Sequence, residues 1–395
     1  RATALERLTH LSSTYNLEVN PHALVSDLNV GQRQRVEIIK ALKGGAKVLI
    51  LDEPTGVLTP QEADQLFEIL KVLRDDGVSV LLITHKLTEI MDITDTVSIM
   101  RQGEMVGHRK TSETSPQDLA ELMVGREVLL EVDRTPAQPA EVRFSAKNLG
   151  YTNSQGVVEL EDINFEVRSG EILGVAGVSG NGQTQLMETL AGMLHLTTGS
   201  INVLGTEVTA ADQTNPRIIR DLGVGHIPED RHTHGLILNF EARENMILGF
   251  HETELAGNGR LFDYSAIQKN CEDKMAHYDV RPSNPRLNAK NFSGGNQQKI
   301  VIAREFSANP GVLLVGQPTR GVDVGAIEFI HKQIIALRDA GKAILLVSVE
   351  LDEIMSLSDR IAVMFDGQLM GERDPAKTNE KELGLLMAGV TETAA

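Results

Sequence analysis

The amino-acid sequence repeats itself at a constant spacing of 264 residues. Asp-Glu-Pro-Thr at 52–55 has its counterpart in Gly-Gln-Pro-Thr at 316–319, and the same spacing holds without a gap over a long span. The matched positions are glycines, acidic residues and one helix face: Gly31 with Gly295, Gly77 with Gly341, Glu89 and Ile90 with Glu353 and Ile354, Asp95 with Asp359, Gly103 with Gly367, and Gly125 with Gly389. Unrelated domains would not keep one spacing through so many loops, so the repeat predicts a duplicated domain.

The run Val48–Leu51 predicts a strand in the first copy. Four aliphatic residues between Gly44-Gly45 and Pro54 are too few for a helix and suit a strand buried on both faces of a parallel sheet. Asp52 and Glu53 would then lie at the carboxyl edge of the sheet, where open α/β sheets bind ligands. Two carboxylates there are suited to holding Mg²⁺ and polarising a water for attack on a phosphate. A strand that simply ends in a charged turn is the alternative.

Alternating strands and helices surround this run, which implies a parallel sheet. The predicted helices are 2–16, 32–42, 60–75, 87–93 and 116–124, and further strands are predicted at 78–84 and 96–101. The stretch from Arg126 to Glu141, with Pro136 and Pro139, breaks the periodicity. We therefore predict a first unit at 1–130, a linker at 131–141 and a complete second unit at 142–395.

The second unit contains a candidate phosphate-binding loop. Alternating segments at 142–149, 158–160 and 163–167 predict an antiparallel layer, and a strand at 171–176 then leads into a glycine-rich turn and a helix from Thr184 to about Leu194. The turn consists of Gly177, Val178, Ser179, Gly180, Asn181, Gly182, Gln183 and Thr184. Its backbone N–H groups and the helix N-terminus favour phosphate, and the Thr184 hydroxyl can reach Mg²⁺. An ordinary glycine turn is the alternative.

Composition limits the class of protein. The chain of 395 residues is 24% charged with a net charge of −17, which disfavours sequence-independent binding of nucleic acid because the chain would repel phosphates. No run of about 18 apolar residues predicts a membrane span. The single cysteine, Cys271, excludes a disulfide within the chain.

Two further segments give the chain a family resemblance. Each opens a predicted helix upstream of a repeated strand: Leu28, Asn29, Val30, Gly31 and Gln32 in the first unit, and Phe292, Ser293, Gly294, Gly295, Asn296 and Gln297 in the second. They resemble the signature motif of ATP-binding-cassette (ABC) ATPases. With Asp52-Glu53, with His85 at the end of the next strand and with the loop at 177–184, the resemblance covers essentially the whole chain.

A narrower likeness is to the ATPases of bacterial importers for monosaccharides and nucleosides. The segments VGQRQRVEI, GNGQ, SGGNQQK and QPTRGVDVGA are similar to that group. The segment Gly225–Arg231 also resembles the group, in which it takes the place of the Q-loop and faces the membrane partner.

The resemblance implies an α/β fold of tandem P-loop (RecA-like) cassettes, each with a parallel core sheet, a helical subdomain and an antiparallel β layer. Subtracting the repeat spacing places the β layer and phosphate loop of the first copy before residue 1. Since the sequence also begins with Arg1 and shows no signal peptide, we expect about 120 residues of the first copy to be missing. Alone, this chain is expected to hydrolyse ATP weakly.

The resemblance also implies residue roles, with ATP and Mg²⁺ as cofactors. In such ATPases two cassettes close head to tail, so one site would join the first unit to the signature segment Ser293–Gln297. There Asp52 would hold the Mg²⁺ shell, Glu53 would act as general base on the attacking water, and His85 would contact the γ-phosphate.

The other site departs from the family pattern. It has Gln183 for the loop lysine, Gly316 and Gln317 for the two acids, Val349 for the histidine, and Asn29-Val30 where the signature has Ser-Gly. We expect it to bind nucleotide, with Thr184 at the metal, and to turn over slowly or not at all. Tyr151 would stack on the adenine; an aromatic packed in the antiparallel layer is the alternative.

The predicted function is that of the ATPase subunit of a bacterial importer, bound peripherally at the cytoplasmic face of the membrane. The partners would be permease subunits, gripped by helical segments near 16–27 and 240–287, and an extracytoplasmic solute-binding protein. The two cassettes would pair within the full-length chain or in a dimer, with no nucleic acid. The alternative is a soluble double cassette that acts on ribosomes or DNA, which the short, non-basic linker disfavours. Sugar or nucleoside as the solute rests on the resemblance alone.

Overall fold

The structure is a computed structural model that describes residues 20, 22–25, 30–43, 46–55, 58, 60–101, 103–127, 134–178, 180–212, 214–252 and 261–390. The chain divides into two compact units, Arg1–Leu130 and Glu131–Ala395. The predicted helix at 2–16 and most of the segment 16–27 lie outside the described residues.

The first unit alternates helices and strands in the predicted order. Its elements are α1 (Val30–Lys43), β1 (Val48–Asp52), α2 (Pro60–Asp75), β2 (Ser79–Ile83), α3 (Leu87–Ile93), β3 (Thr96–Arg101), β4 (Glu104–Lys110), a 3₁₀ turn (Thr111–Glu113) and α4 (Pro116–Val124). β1 and β2 are parallel, from the pair Val48 and Ser79 to the pair Asp52 and Ile83. β3 and β4 form a separate antiparallel hairpin.

Among the described residues, side chains cover one face of the sheet of β1 and β2 and leave the other exposed. Side chains of α1, β1 and α2 form a buried cluster on the covered face: Ile38, Ile39, Leu49, Leu66, Ile69, Leu70 and Leu73. Apolar side chains on the other face are exposed: Val48, Ile50, Leu81 and Ile83. The prediction that Val48–Leu51 is buried on both faces is therefore wrong for this structure, because no described element covers the second face.

The second unit contains more strands and two sheets. Its elements are β5 (Val142–Thr152), β6 (Val158–Arg168), β7 (Glu171–Ala176), α5 (Gln183–Leu190), β8 (Thr198–Val203), β9 (Thr206–Thr209), α6 (Pro216–Asp221), β10 (Val224–Ile227), a π-helical turn (Arg231–Gly235), α7 (Ala242–Asn245), α8 (Tyr264–His277), a 3₁₀ turn (Ala289–Asn291), α9 (Gly294–Ser307), β11 (Val312–Gly316), α10 (Val324–Asp339), β12 (Ala343–Ser348), α11 (Leu351–Leu357), β13 (Arg360–Phe365), β14 (Gln368–Arg373) and α12 (Glu380–Met387).

A six-stranded sheet forms the centre of the second unit, in the order β10-β11-β12-β7-β13-β14. All neighbours are parallel except β13 and β14. Every residue of β7, β11 and β12 is buried, because helices cover one face of the sheet and the antiparallel sheet β6-β5-β8-β9, together with α5, covers the other. The parallel strands end at one edge, where the glycine-rich turn after β7 also lies.

Several predicted boundaries differ from the structure by a few residues, and two of the differences have a local cause. β6 runs without a break across 161–162, where the prediction separates two segments. Asp162 adopts φ 50° there and accepts a hydrogen bond from Asn148 Nδ2 at 2.7 Å, so the strand continues through an irregular register. α5 ends at Leu190 and not near Leu194, because Gly192 at φ 75° turns the chain out of the helix.

Elements of the two units correspond at the repeat spacing. From β1 to α4 in the first unit, each strand and α-helix begins 264 residues before its counterpart between β11 and α12. In the second unit β7 lies between β12 and β13. In the described part of the first unit, no strand corresponds to β7. None of the described helices is long and apolar enough to cross a bilayer.

Candidate functional site

Glu53 and His85 meet at the carboxyl ends of β1 and β2. Glu53 follows β1 with a left-handed backbone (φ 43°), which costs a non-glycine residue about 1 kcal/mol or more. Its N–H donates to Ile83 O at 2.8 Å, and this turn brings Glu53 Oε1 to 2.9 Å from His85 Nδ1. About half of the Glu53 side chain is accessible to solvent, and the preceding Asp52 is exposed. The structure thus brings together two residues predicted to act in catalysis.

A buried glutamate connects the two segments that carry this pair. Glu89 lies in the first turn of α3. The Thr55 hydroxyl, two residues after Glu53, donates to Glu89 Oε1. The Thr84 hydroxyl, directly before His85, donates to Glu89 Oε2 at 3.0 Å. One carboxylate therefore joins the loop after β1 to the end of β2.

The corresponding strand end of the second unit has the same backbone and different side chains. Gln317 follows β11 with φ 45°, and its N–H donates to Val347 O at 2.8 Å. The Gln317 side-chain oxygen accepts a hydrogen bond of 3.4 Å from the N–H of Val349, which has the position of His85. Gly316, Gln317 and Val349 carry no titratable group, so these three positions supply no general base.

Glu353 has the position of Glu89 in the second unit, and it is buried as well. Its Oε1 accepts from the Thr319 hydroxyl at 2.8 Å and lies 3.0 Å from His331 Nε2. Its Oε2 has no hydrogen-bond partner among the described residues. This acid therefore connects the loop after β11 to α10 and not to the end of β12. Neither acid is among the predicted site residues; the sequence signal for both is their match in the repeat.

The glycine-rich turn lies between buried β7 and α5, as predicted. Gly180 and Gly182 have φ 97° and 101°, a conformation that glycine adopts without strain. A Cβ at Gly182 would lie 3.1 Å from Gly367 Cα and 3.2 Å from Glu159 O, so only glycine fits without displacing a neighbour. The order of strand, turn and helix N-terminus is what a phosphate loop requires. Ser179 lies outside the described residues.

Two amide side chains of the loop are held by the protein backbone. Asn181 Nδ2 donates to Met387 O at 3.1 Å. Gln183 is buried, and its Nε2 donates to Val175 O at 3.2 Å. The amide that replaces the lysine is therefore already bonded to β7. Two more loop residues are buried or partly buried: Gly177 and Val178.

Thr184, in the first turn of α5, contacts an acid that the sequence analysis did not place in the site. Its hydroxyl donates to Glu229 Oε2 at 2.6 Å. Glu229 follows β10 by two residues. Burial raises the pKa of its carboxyl, while the Thr184 hydrogen bond and Arg320 act in the opposite direction. The segment Gly225–Arg231 is predicted only to face a membrane partner; a carboxylate two residues after a strand of the same sheet was the available signal for a site role.

The predicted signature segment opens α9. Ser293 is the N-cap residue, and its Oγ accepts from Asn296 Nδ2 at 2.9 Å. Gln297 is buried, where its Nε2 donates to Ala289 O at 3.0 Å and its Oε1 lies 2.8 Å from His232 Nε2. Gln297 thus bonds within its own unit, whereas Ser293 is exposed. The two remaining residues begin the helix: Gly294 and Gly295.

The remaining predicted residues lie in α1 and β5. α1 begins at Val30 and continues through Gly31 and Gln32; Asn29 lies outside the described residues. Tyr151 in β5 is partly buried and packs against the apolar cluster beneath the antiparallel sheet. This contact accounts for a packing role, and stacking on adenine stays a prediction.

The family can be named from this architecture and one comparison. The chain matches the family described as ABC transporter over residues 2–56 and 160–320, more than half of its length. The chain belongs to the ABC transporter family. The family predicted from the sequence is therefore confirmed.

The names of similar proteins within the ABC family describe them as ATP-binding proteins of importers. The nucleoside import ATP-binding protein NupA of Lactococcus lactis is 45% identical, over 98% of this chain and 76% of its own. The glucose import ATP-binding protein TsgD13 of Haloferax volcanii is 43% identical, over 97% of this chain and 70% of its own. A nucleotide-free ATP-binding cassette from an ABC transporter matches in structure with a TM-score of 0.52 at 18% identity, over 64% of this chain and 98% of that one. This last likeness shows the fold alone.

Proposed function

We propose that this ABC protein is the ATP-binding and ATP-hydrolysing subunit of an importer that takes up a nucleoside or a simple sugar. The observation that carries the proposal is the Glu53–His85 pair, with 2.9 Å between Oε1 and Nδ1 at the strand ends of an ABC chain. The names of the relatives that match nearly the whole chain support the class of solute.

The residues present fit ATP and Mg²⁺. The turn after β7 offers backbone N–H groups at a helix N-terminus for phosphate oxygens. Asp52 in the first unit and Thr184 in the second offer the oxygen ligands that Mg²⁺ prefers. When bound, the ion neutralises charge on the phosphates.

Hydrolysis is assigned to the first unit. Glu53 is the general base that accepts a proton from the attacking water. With Glu53 ionised, His85 Nδ1–H donates to its carboxylate and orients it; a contact of His85 with the γ-phosphate requires a proton on Nε2 as well. Phosphoryl transfer needs positioning and electrostatics of this kind and no covalent intermediate.

The second unit is assigned to nucleotide binding with slow or no turnover. The carbonyl of Val175 already holds the Gln183 amide, and the side-chain oxygen of Gln317 accepts from a backbone N–H. Neither group can take the place of a charged catalytic side chain.

We further propose that the chain contains parts of two cassettes, at 1–130 and 142–395, joined by a linker at 131–141. The matched elements at the repeat spacing support this division. The partners would be permease subunits and an extracytoplasmic solute-binding protein, with the chain at the cytoplasmic face of the membrane. The pairing of Ser293–Gln297 with the catalytic residues of the other cassette stays a prediction.

Uptake into vesicles tests the proposal. The chain is assembled with its permease and binding protein in proteoliposomes, and accumulation of labelled adenosine, guanosine, ribose and glucose is measured with and without enclosed ATP. We expect ATP-dependent accumulation of one solute class, and no accumulation with Glu53→Gln. Uptake that ignores ATP, or a chain that sediments with ribosomes and not with the permease, would contradict the proposal.

A further inference from the structure

Asn181 is the residue of the glycine-rich turn that is held most firmly from outside the turn. Its backbone carbonyl accepts from the Gly367 N–H at 3.0 Å, and its side-chain Nδ2 donates to Met387 O at 3.1 Å. The two neighbours of Asn181 in the sequence are glycines, both with positive φ. Since glycine has more conformational freedom than any other residue, the contacts of the residue between them fix the turn.

The side-chain contact of Asn181 satisfies the end of α12. Met387 is the last residue of this helix, and the final carbonyls of a helix have no partner within it. The carbonyls of the three residues before Met387 accept from N–H groups just beyond the helix. The Met387 carbonyl accepts from the Asn181 side chain. One hydrogen bond therefore joins the glycine-rich turn to α12.

α12 is itself packed firmly against the sheet. Three of its apolar side chains are buried in the core between the helices and the six-stranded sheet: Leu383, Leu386 and Met387. Gly389 follows the helix with φ 78°. A Cβ there would lie 2.5 Å from Phe365 Cε1, so the chain turns directly against the end of β13. The end of α12 is thus a fixed point from which the glycine-rich turn can be held.

The matched helix of the first unit is held by a different partner. α4 and α12 are both followed by a glycine with a left-handed backbone, Gly125 (φ 85°) and Gly389 (φ 78°). In the first unit, Arg101 Nη1 of β3 donates to Leu122 O near the end of α4 at 3.2 Å. Phe365 has the position of Arg101 in the repeat, and its side chain has no hydrogen-bond donor. A neighbouring strand thus supplies the donor to α4, whereas the glycine-rich turn supplies the donor to α12.

We propose that Asn181 is a positioning residue for nucleotide, through which α12 sets the nucleotide affinity of the second unit. The inference rests on the proposed nucleotide binding by the turn at 177–184. The N–H groups of this turn converge on phosphate oxygens only while its glycines keep their left-handed conformation. A turn released from α12 adopts that conformation for a smaller fraction of the time, and the apparent affinity for nucleotide falls by the same fraction.

Nucleotide binding by the full chain tests this role. The chain is titrated with the non-hydrolysable analogue AMP-PNP in the presence of Mg²⁺, and binding is followed by isothermal titration calorimetry. Asn181→Ala removes the donor and should weaken AMP-PNP binding about fivefold, the effect of one hydrogen bond. Gly389→Ala should weaken it as well, because alanine is strained at φ 78° and meets Phe365, which displaces the end of α12.

The repeat supplies a matched control. Gly125→Ala places the same strain after α4 of the first unit, where the added Cβ would meet the Arg101 side chain. It should lower the stability of the first unit as Gly389→Ala lowers that of the second. AMP-PNP binding should stay unchanged in Gly125→Ala, because no described contact joins α4 to the glycine-rich turn.

The double variant separates positioning from a general loss of structure. If Asn181 transmits the effect of α12, Gly389→Ala should cause no further loss of affinity once residue 181 is alanine. Additive losses in the double variant, or wild-type affinity in either single variant, would overturn the inference. If the wild-type chain binds no AMP-PNP, the proposed function of the turn is what fails, and the inference fails with it.

Discussion

The residues that follow β1 and β11 have the same backbone geometry and chemically different side chains. Glu53 and Gln317 have φ values of 43° and 45°, and each N–H donates to the next strand at 2.8 Å. The left-handed turn, which is costly for both residues, is thus retained where the acid is gone. The fold maintains the turn, and the side chain alone decides whether it carries a general base.

The neighbouring strands, β2 and β12, differ in what covers them. Leu81 in β2 and Leu345 in β12 occupy matched positions of the repeat, yet Leu81 is 53% exposed and Leu345 is 0% exposed. Leu345 faces the cluster beneath the antiparallel sheet, and no described element of the first unit lies on the corresponding face. An apolar residue in a strand therefore indicates a face that is suited to burial, but it does not show that another element packs against that face.

The largest expected difference between the units lies in catalysis. Glu53→Gln should lower ATP turnover by the importer assembly about a hundredfold or more, because it removes the general base. Gln317→Ala, the matched change in the second unit, should leave turnover unchanged. Phosphate release at saturating ATP is the measurement, with retained ATP binding as the control. Wild-type turnover by Glu53→Gln would show that the assignment is wrong.

The next difference lies in stability. Leu345→Ala should cost about 2–5 kcal/mol of unfolding free energy in the second unit, because it leaves a cavity beneath the antiparallel sheet. Leu81→Ala should cost less than about 1 kcal/mol, since an exposed side chain leaves no cavity. Native-state hydrogen exchange resolved to β2 and β12 measures the two costs separately in one chain. Equal costs would mean that the β2 face is covered in solution.

Much of this fold could be predicted because the repeat spacing fixes element positions in both units. The strand before the glycine-rich turn was predicted for the same local reason: a buried run, glycines and a helix start follow one another in the sequence. Burial of Val48–Leu51 on both faces was predicted wrongly, because burial depends on elements distant in sequence.

In the candidate site, too, some residues could be predicted from the sequence, whereas contacts between distant segments could not. Glu53 could be predicted because it directly follows a strand of a parallel sheet, whereas His85, two residues after β2, was predicted from the family resemblance. Glu229 was missed because its contact with Thr184 joins segments 45 residues apart in the sequence. The orientation of Gln183 toward Val175 is a choice of rotamer, which no spacing pattern encodes.

The smallest expected difference concerns the two buried glutamates. Thr84 Oγ1 donates to Glu89 and also accepts from the Lys86 N–H. Its counterpart, Ser348, accepts from the Glu350 N–H but is not joined to Glu353. Removing either hydroxyl thus costs one backbone hydrogen bond, whereas only the change at Thr84 also breaks a link to the acid.

Thr84→Val should lower kcat for ATP about tenfold with KM unchanged, because the end of β2 that carries His85 is no longer held to the loop that carries Glu53. Thr84→Ser should restore the rate, and Ser348→Ala should leave it unchanged. Steady-state ATPase kinetics of the three variants in the importer assembly measure this. An equal loss of kcat in Thr84→Val and Ser348→Ala would show that the backbone hydrogen bond, which both hydroxyls make, is what matters. The Glu89 bridge would then have no part in catalysis.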